Sequence, residues 1–314
     1  MSSDTVRLGR IGVLMGGCSS EREISLRSGE AVYTALQECG CQVSKMDITS
    51  EDADKIVHLL EESKIEVAFI TLHGRLGEDG RIQAILEKVR VPYTGSGVGA
   101  SRRALNKIMT QDLLNKARIP VPEHRVARKG RFPDPESFFK EFGGQPLVVK
   151  PANEGSSIGI TIVRKKEDIQ PALELAFQYG DEILLEKFIN GKELTVGILD
   201  EKALPVIEIK PKAIFFDFQA KYLAGTTEYI IPAQIPPDIS TRVQEIATQA
   251  HRALGCRHLS RVDVLLDAEN RPYVLEINTI PGFTKTSLLP KAAAAAGLSF
   301  QDLCLKLIHL AHEK

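Results

Sequence analysis

Through the first hundred residues, strand-like apolar runs alternate with stretches whose apolar residues recur every three or four positions. RIGVLMGG (10–17), VSKMDI (43–48) and IEVAFITLH (65–73) are the runs, and EISLRSGEAVYTALQE (23–38) and DADKIVHLLEES (52–63) lie between them. Short runs bounded by turn residues predict strands, and the wider period predicts amphipathic helices. Ser19 or Ser20 stands where a helix N-cap is wanted, and Gly40 lies just past the expected end of the same helix. Such βαβ alternation implies a parallel sheet covered by helices, with ligands gathering at the carboxyl ends of the strands. Two loops fall at such ends: Gly16-Gly17-Cys18-Ser19-Ser20 and His73-Gly74-Arg75-Leu76-Gly77-Glu78-Asp79-Gly80.

After Thr94-Gly95-Ser96-Gly97 the pattern reads as helix to about Arg118, where Ile119-Pro120-Val121-Pro122 breaks it. A domain boundary is expected near residue 100. PLVVKP (146–151), ITIVRK (160–165) and EILLEKFI (182–189) predict further strands, with a helix near 167–178. Beyond Gly191 come the strand-like ELTVGIL, LPVIEIK and IFFDF, a polar loop over 219–238, and a helix over about 240–254. Two helices close the chain.

Between the 240–254 helix and these two lies a predicted hairpin, LSRVDVLLD (259–267) and RPYVLEIN (271–278). Alternation puts Arg261 and Asp263 on one face of the first strand and Glu276 and Asn278 on one face of the second. With Glu269 and Asn270 at the tip, Asp263 faces Glu276 and Arg261 faces Asn278. Two carboxylates and an amide suit a hard cation, and an adjacent guanidinium suits a phosphate. A surface salt-bridge ladder is the plain alternative for any one such hairpin; the order of the other motifs weighs against it.

Composition removes several classes. The chain has 314 residues, is 43% apolar and carries a net charge of -1, which supports well-formed cores and leaves no broad basic field for a nucleic acid. MSSDTVRLGR lacks the apolar core of a signal peptide, and no run approaches the roughly 20 apolar residues that cross a bilayer. The five cysteines, Cys18, Cys39, Cys41, Cys256 and Cys304, form no CxxC and suggest neither a disulfide framework nor a zinc site. Cys39 and Cys41 are expected to be small buried residues, and the protein to be cytoplasmic, with no membrane or nucleic-acid partner.

Lys150 leaves an apolar run and is followed by Glu154-Gly155-Ser156-Ser157-Ile158-Gly159-Ile160. A Gly/Ser loop between strands offers backbone N–H groups and hydroxyls to phosphates, and the lysine adds a point charge. It is not a Walker A loop, because no GK[ST] ends it, nor a dinucleotide fingerprint, because no helix opens after it. Glu186-Lys187-Phe188-Ile189 ends a later run, where backbone groups beside Lys and Phe suit an adenine edge, and Glu193 stands close enough to accept from ribose hydroxyls.

This order of motifs resembles the ATP-grasp ligases, and within them the D-alanine–D-alanine ligase family. The matching segments are GGCSSEREISL (16–26), LHGRLGEDG (72–80), PYTGSG (92–97), VKPANEGSSIG (149–159), LEKF (185–188), AKYL (220–223), SRVDVLLD (260–267) and LEINTIPGFTKTSL (275–288). They span nearly the whole chain in the family's order. The resemblance implies a three-domain α/β architecture: an N-terminal parallel-sheet domain over 1–100, a central domain over 101–190 and a C-terminal domain over 191–314, the last two being α+β and gripping ATP.

It also implies roles. Lys107 and Lys150 would contact ATP phosphates under a loop carrying Ser156 and Ser157. Glu186, Lys187, Phe188, Ile189 and Glu193 would form the adenosine site, and Lys221 would reach the γ-phosphate. Asp263, Glu276 and Asn278 would bind two Mg²⁺, for which Mn²⁺ may substitute, and Arg261 would hold the transferred phosphoryl group. Glu23 would pair with the ammonium of a first D-alanine, with His73 near its carboxylate. Ser287 and Leu288 would hold the carboxylate of a second, with the Gly282 N–H nearby. Glu23, Ser156 and Tyr222 would hydrogen-bond together and close a mobile loop. The implied reaction joins two D-alanines through an acyl phosphate, for peptidoglycan precursor synthesis, in a homodimer. Alternatives on the same scaffold are a D-alanine–D-lactate ligase, against which Tyr222 argues, and another carboxylate–amine ligase. The chain departs from the family's commoner residues at Asn106, Phe216, Phe218, Gln219 and Ser260. None of these removes a group the chemistry needs.

Overall fold

Helical crossovers between the apolar runs make the first three strands parallel, as the alternation requires. In the computed structural model, which describes residues 8–131, 134–155, 158–211 and 227–313, β1 (Ile11–Gly16), β2 (Val43–Ile48) and β3 (Val67–Ile70) form a parallel sheet ordered β2-β1-β3. Helices α1 (Arg22–Glu38), α2 (Ala53–Ser63) and α3 (Arg81–Lys88) belong to this unit. The Asp52 side chain caps α2 by accepting from the N–H groups of Asp54 and Lys55. The cap expected of Ser19 or Ser20 on α1 does not form. Glu21 holds the N-cap position without a side-chain bond. Ser19 Oγ instead donates to the His73 carbonyl at 3.0 Å, which ties the two strand-end loops together.

The expected helix after residue 97 is two helices, α4 (Val98–Leu105) and α5 (Lys107–Lys116). Asn106 between them has extended backbone and caps α5 through its side chain, which accepts from the Met109 N–H at 2.8 Å. A second, antiparallel sheet follows, ordered β4-β7-β5-β6, with β4 at His124–Arg128, β5 at Leu147–Pro151, β6 at Thr161–Val163 and β7 at Glu182–Lys187. Its apolar side packs under α6 (Pro135–Glu141) and α7 (Ile169–Ala176).

The third sheet is also antiparallel. It holds β8 (Gly191–Leu199), β9 (Lys202–Ala203), β10 (Ile207–Pro211), β11 (Thr227–Ile230), β12 (Leu259–Asp267) and β13 (Pro272–Asn278), ordered β11-β10-β8-β12-β13 with β9 beside β8. Helix α8 (Pro237–Ala253) covers one face. IFFDF lies outside the described residues, and β11 occupies part of the expected polar loop.

Packing crosses the boundaries drawn along the chain. Ala100, Ala104 and Leu114 of α4 and α5 are buried with Leu194, Val196, Val262 and Ile277 of the third sheet. The closing helices α9 (Leu288–Ala295) and α10 (Phe300–His312) pack on the first sheet, where Leu289, Leu303, Cys304 and Leu307 share a core with Ile11, Val13, Val67 and Phe69. Phe283 stacks edge-on against Phe69 at 5.3 Å, and its N–H donates to Ser28 Oγ at 3.1 Å. The segment leaving β13 is thereby pinned to the ends of the first sheet, which is what assembles the site. All five cysteines are free. Cys39 is exposed, contrary to expectation, and Cys41 is only half-buried, packed against the edge of the first core.

The PYTGSG segment is clamped to the third sheet. The Gly95 N–H donates to His258 Nδ1 at 3.2 Å, and Arg257 Nε donates to the Gly95 carbonyl at 3.1 Å. Burial, and then the neighbouring Arg257 charge, push the His258 pKa down to about 4. The folded chain therefore binds this proton more weakly than the unfolded one. The stability involved is complete above about pH 6.5 and is lost as pH falls toward 4. His258→Asn is expected to keep both an acceptor for Gly95 and the left-handed backbone at φ 61°, which Asn tolerates. Its melting temperature should fall less steeply than wild type between pH 6.5 and 4. Parallel melting profiles would refute the assignment.

Candidate active site

The metal-type face of the hairpin forms in the expected register. Asp263 pairs with Glu276 and Arg261 with Asn278. The path to that register differs from the expected one. Asp267-Ala268-Glu269-Asn270 makes the turn, with the Asn270 N–H donating to the Asp267 carbonyl at 3.0 Å and Asn270 at φ 59°. This shifts the pairing register by one residue, so Val264 faces Val274 rather than Leu275. A bulge at Leu275, between those pairs and the next, then restores Asp263 to Glu276. A three-residue loop ending in a left-handed residue is a common hairpin solution, and bulges re-aim side chains next to functional sites.

On this face Arg261 forks onto Asp263, Nε to Oδ1 at 2.9 Å and Nη2 to Oδ2 at 2.8 Å. Thr195 of β8, a residue the sequence did not single out, donates to Asp263 Oδ1 at 2.6 Å from a buried position. Asn278 Oδ1 accepts from the Ile280 N–H at 2.8 Å. Lys107, the first residue of α5, is buried, donates to the Glu154 carbonyl and lies 3.5 Å from Glu276 Oε2. The Asn106 cap that opens α5 is what delivers it there.

A cavity of about 280 Å³ opens over this face. Lys107, Arg261, Asp263, Glu276 and Asn278 line it, as do His73, Gly282, Ser287 and Leu288 from the other expected groups. His73 is buried, 3.8 Å from Glu78 through Nδ1, with no partner for Nε2 among the described residues. Ser287 holds the N-cap position of α9 but makes no side-chain cap bond; its Oγ meets the Thr284 N–H at 3.1 Å and Thr284 Oγ1 at 2.8 Å. The hydroxyl is therefore engaged by Thr284 rather than by the helix, in a residue that lines the cavity. Beside it Leu288, Ile209 and Tyr229 form an apolar corner. Burial raises the Tyr229 phenol above its ordinary pKa.

Glu23 is not in this site. Its side chain is 87% exposed on α1 and pairs with Arg27 at 3.7 Å. Glu21, two residues earlier, lines the cavity instead. A side chain on Gly74 would meet Glu21 Oε2 at 2.7 Å, and one on Gly155 would meet it at 3.9 Å. Gly74, at φ 64°, is thus required both for its backbone and for the close approach of this carboxylate. The helical period explains the error: residues two apart on a helix point in different directions, and only the one at its mouth faces the strand ends.

Of the other expected nucleotide groups, Lys150, Glu186 and Lys187 lie on the second sheet. Lys150 and Glu186 are both buried and pair at 2.7 Å. Neither lines the cavity. Lys187 is exposed, and its N–H donates to the Glu123 carbonyl at 2.8 Å. The Phe188 N–H donates to the Pro146 carbonyl at 2.9 Å, with Arg164 over its ring at 5.5 Å. Ile189 follows directly, half-buried. Glu193 lies on β8 opposite Ile209, near the cavity face. Ser156, Ser157, Lys221 and Tyr222 lie outside the described residues.

Among the described residues no three His, Cys, Asp or Glu side chains converge as a metal cluster. Two opposed carboxylates and an amide do fit Mg²⁺, which is usually held by one or two carboxylates with substrate phosphates and water completing its shell. No helix among the described residues is long and apolar enough to cross a membrane.

Comparison with known proteins agrees with this geometry. Residues 49–96 match the D-ala D-ala ligase N-terminus family and residues 113–309 the D-ala D-ala ligase C-terminus family. The D-alanine–D-alanine ligase of Geobacter sulfurreducens is 46% identical over 309 residues, covering 98% of this chain and 96% of its own. The crystal structure of the Bacillus anthracis D-alanine–D-alanine ligase superposes with a TM-score of 0.87 at 35% identity, covering 97% of this chain and 98% of that one. The structure of that enzyme complexed with ATP gives 0.86 at 31% identity, with the same coverage. With matched family segments over most of its length and full-length relatives at nearly half identity, this chain belongs to the D-alanine–D-alanine ligase family.

Proposed function

We propose that the cavity joins two D-alanines at the expense of ATP, giving D-alanyl-D-alanine, ADP and phosphate for peptidoglycan precursor synthesis. One observation carries the reading: the phosphoryl-transfer face of β12 and β13 and the amino-acid groups Glu21, His73 and Ser287 line a single cavity. In the first step a carboxylate oxygen of one D-alanine attacks the γ-phosphorus and ADP leaves. In the second the neutral amine of the other D-alanine attacks the acyl carbon, and phosphate leaves with the electron pair of the broken C–O bond.

Glu21 would take the ammonium of the first D-alanine, with His73 beside its carboxylate. Ser287 and the N-terminus of α9 would take the carboxylate of the second, with its methyl against Leu288, Ile209 and Tyr229. Lys107 and Lys150 would hold phosphates. The adenine edge would fall to the Lys187 carbonyl and the Ile189 N–H, since the N–H groups of Lys187 and Phe188 are already bonded. Glu193 would accept from the ribose. Arg261 and the Gly282 N–H would stabilise the negative charge that both steps concentrate. Asp263, Glu276 and Asn278 would hold two Mg²⁺, or Mn²⁺ in their place, which supply charge neutralisation between the phosphates. Ser156, Ser157, Lys221 and Tyr222 would cover the reacting atoms. The three-part division at residues 100 and 190, a homodimer and a cytoplasmic location belong to the same reading.

The deciding experiment incubates the protein with ATP, Mg²⁺ and D-alanine, then identifies the product by mass and chirality. Phosphate release that ignores D-alanine, or a preference for D-lactate as acceptor, would overturn it.

Thr195 offers a finer check. Thr195→Val keeps the shape but removes the hydroxyl that orients Asp263. A hydrogen bond to a charged group contributes about 1.5–3 kcal/mol, so a loss of about tenfold to a hundredfold in kcat/KM for ATP is expected. The Mg²⁺ concentration giving half-maximal rate should rise with it. Thr195→Ser should recover most of both. Wild-type Mg²⁺ dependence in the valine variant would show that Arg261 alone orients Asp263.

A further inference from the structure

Gln111 belongs to none of the groups described so far, yet it touches two of them. It sits on α5 one turn beyond Lys107 and is fully buried. Its Nε2 donates to Glu186 Oε1 at 3.2 Å and to the Leu275 carbonyl at 3.0 Å. Both partners only accept, so the amide nitrogen must be the atom that faces them. The other oxygen of Glu186 holds Lys150 at 2.7 Å. Leu275 is the extra residue of the β13 bulge and immediately precedes Glu276.

We propose that Gln111 is a positioning residue that sets the Lys150–Glu186 pair and the Glu276-bearing bulge at one fixed separation. What is held at those two places rests on the function proposed above. The physical argument starts from the bulge. An extra residue drops out of the ladder, and its part-buried carbonyl needs a donor from elsewhere. Gln111 supplies that donor. Without it, the cheapest repair is for β13 to regain regular pairing. A one-residue slip reverses which face each side chain occupies, so Glu276 would leave the face it shares with Asp263. The same amide holds Glu186 of β7 from the second sheet. A helix packed on the third sheet thus carries one side chain that reaches both sheets between which the nucleotide is proposed to lie. Lys107 on the same helix face, near Glu276 Oε2, makes α5 a common reference for phosphate, base and carboxylate.

The test uses Gln111→Leu, which removes the donors and keeps apolar bulk, and Gln111→Lys, which restores a donor of similar reach. Three quantities are read: the Kd of a non-hydrolysable ATP analogue by calorimetry, the separate kcat and KM values for ATP and D-alanine, and the melting temperature. For Gln111→Leu the analogue Kd should rise about tenfold and kcat should fall about tenfold, while the KM for D-alanine stays within about twofold. Gln111→Lys should recover Kd and kcat to within about threefold of wild type. A folded leucine variant with wild-type Kd and kcat would overturn the proposal. So would a parallel decline of every constant with melting temperature, which marks a purely scaffolding residue. Should the leucine variant fail to fold, a folded lysine variant with poor analogue binding overturns it, and one with near-wild-type binding and kcat supports it. The analogue Kd judges Gln111 even if the wild-type protein proves not to ligate D-alanine.

Discussion

Glu276→Gln is expected to lower ligation by about a thousandfold or more while leaving the fold intact, because it removes charge where phosphoryl transfer concentrates it. The substitution keeps shape but removes the charge and turns one acceptor oxygen into an NH2 donor. Glu276 lies near the end of the edge strand β13 and its side chain is 30% exposed, so little packing depends on its charge. Its loss would also leave Lys107 without that neighbour at 3.5 Å. Asp263→Asn should be as damaging to rate but less clean. Asp263 is buried under the Arg261 fork and the Thr195 hydroxyl, and removing its charge leaves a largely buried guanidinium poorly compensated. Glu276→Gln is therefore the decisive variant. Turnover near wild type at saturating Mg²⁺, with an unchanged melting curve, would defeat the carboxylate-and-metal reading of the hairpin face.

That face was legible because alternation along a strand is strict. Arg261, Asp263, Glu276 and Asn278 needed only the period of two and a hairpin. The actual turn shifts the pairing register by one residue, and the bulge at Leu275 cancels the shift. The register at the functional end was thus predicted by a route that misses both the turn and the bulge, since neither leaves a periodic trace. Loops were harder. Glu21 and Glu23 stand in the same motif, and only the three-dimensional entry of α1 distinguishes them. Thr195 and Gln111 were invisible for a different reason. Each is a polar residue on the buried side of its element whose partner is remote in sequence, at 68 and 75 residues for the bonds to Asp263 and Glu186. The sequence signal open to a reader was a buried-type position occupied by a polar side chain: Thr195 within LTVGIL and Gln111 within a helix bearing Lys107. The closing helices posed the same problem on a larger scale. Their amphipathic pattern announced helices but not that they would return to the first sheet and carry Ser287 to His73.

The comparison of Glu21 with Glu23 gives the second large expected effect. Glu21→Gln should reduce kcat/KM for the first D-alanine by about ten- to a hundredfold, the loss of one charge-assisted contact of about 1.5–3 kcal/mol to an ammonium. The carboxylate stands at the junction of the Gly74 and Gly155 loops, where a substrate ammonium would be partly shielded from water. Glu23→Gln removes only an exposed pair with Arg27, and such pairs contribute about 0–1 kcal/mol. Arg27 also borders the cavity, so a small change, within about threefold, is expected through it. The two variants lie two positions apart on the same turn and alter the same net charge, so long-range electrostatics cannot separate them; only local placement can. The first and second D-alanine constants should be fitted separately, since Glu21 faces His73 rather than Ser287 in the proposed binding mode. Equal effects of the two substitutions, or a larger one at Glu23, would return the ammonium site to the exposed face of α1 and remove Glu21 from the mechanism.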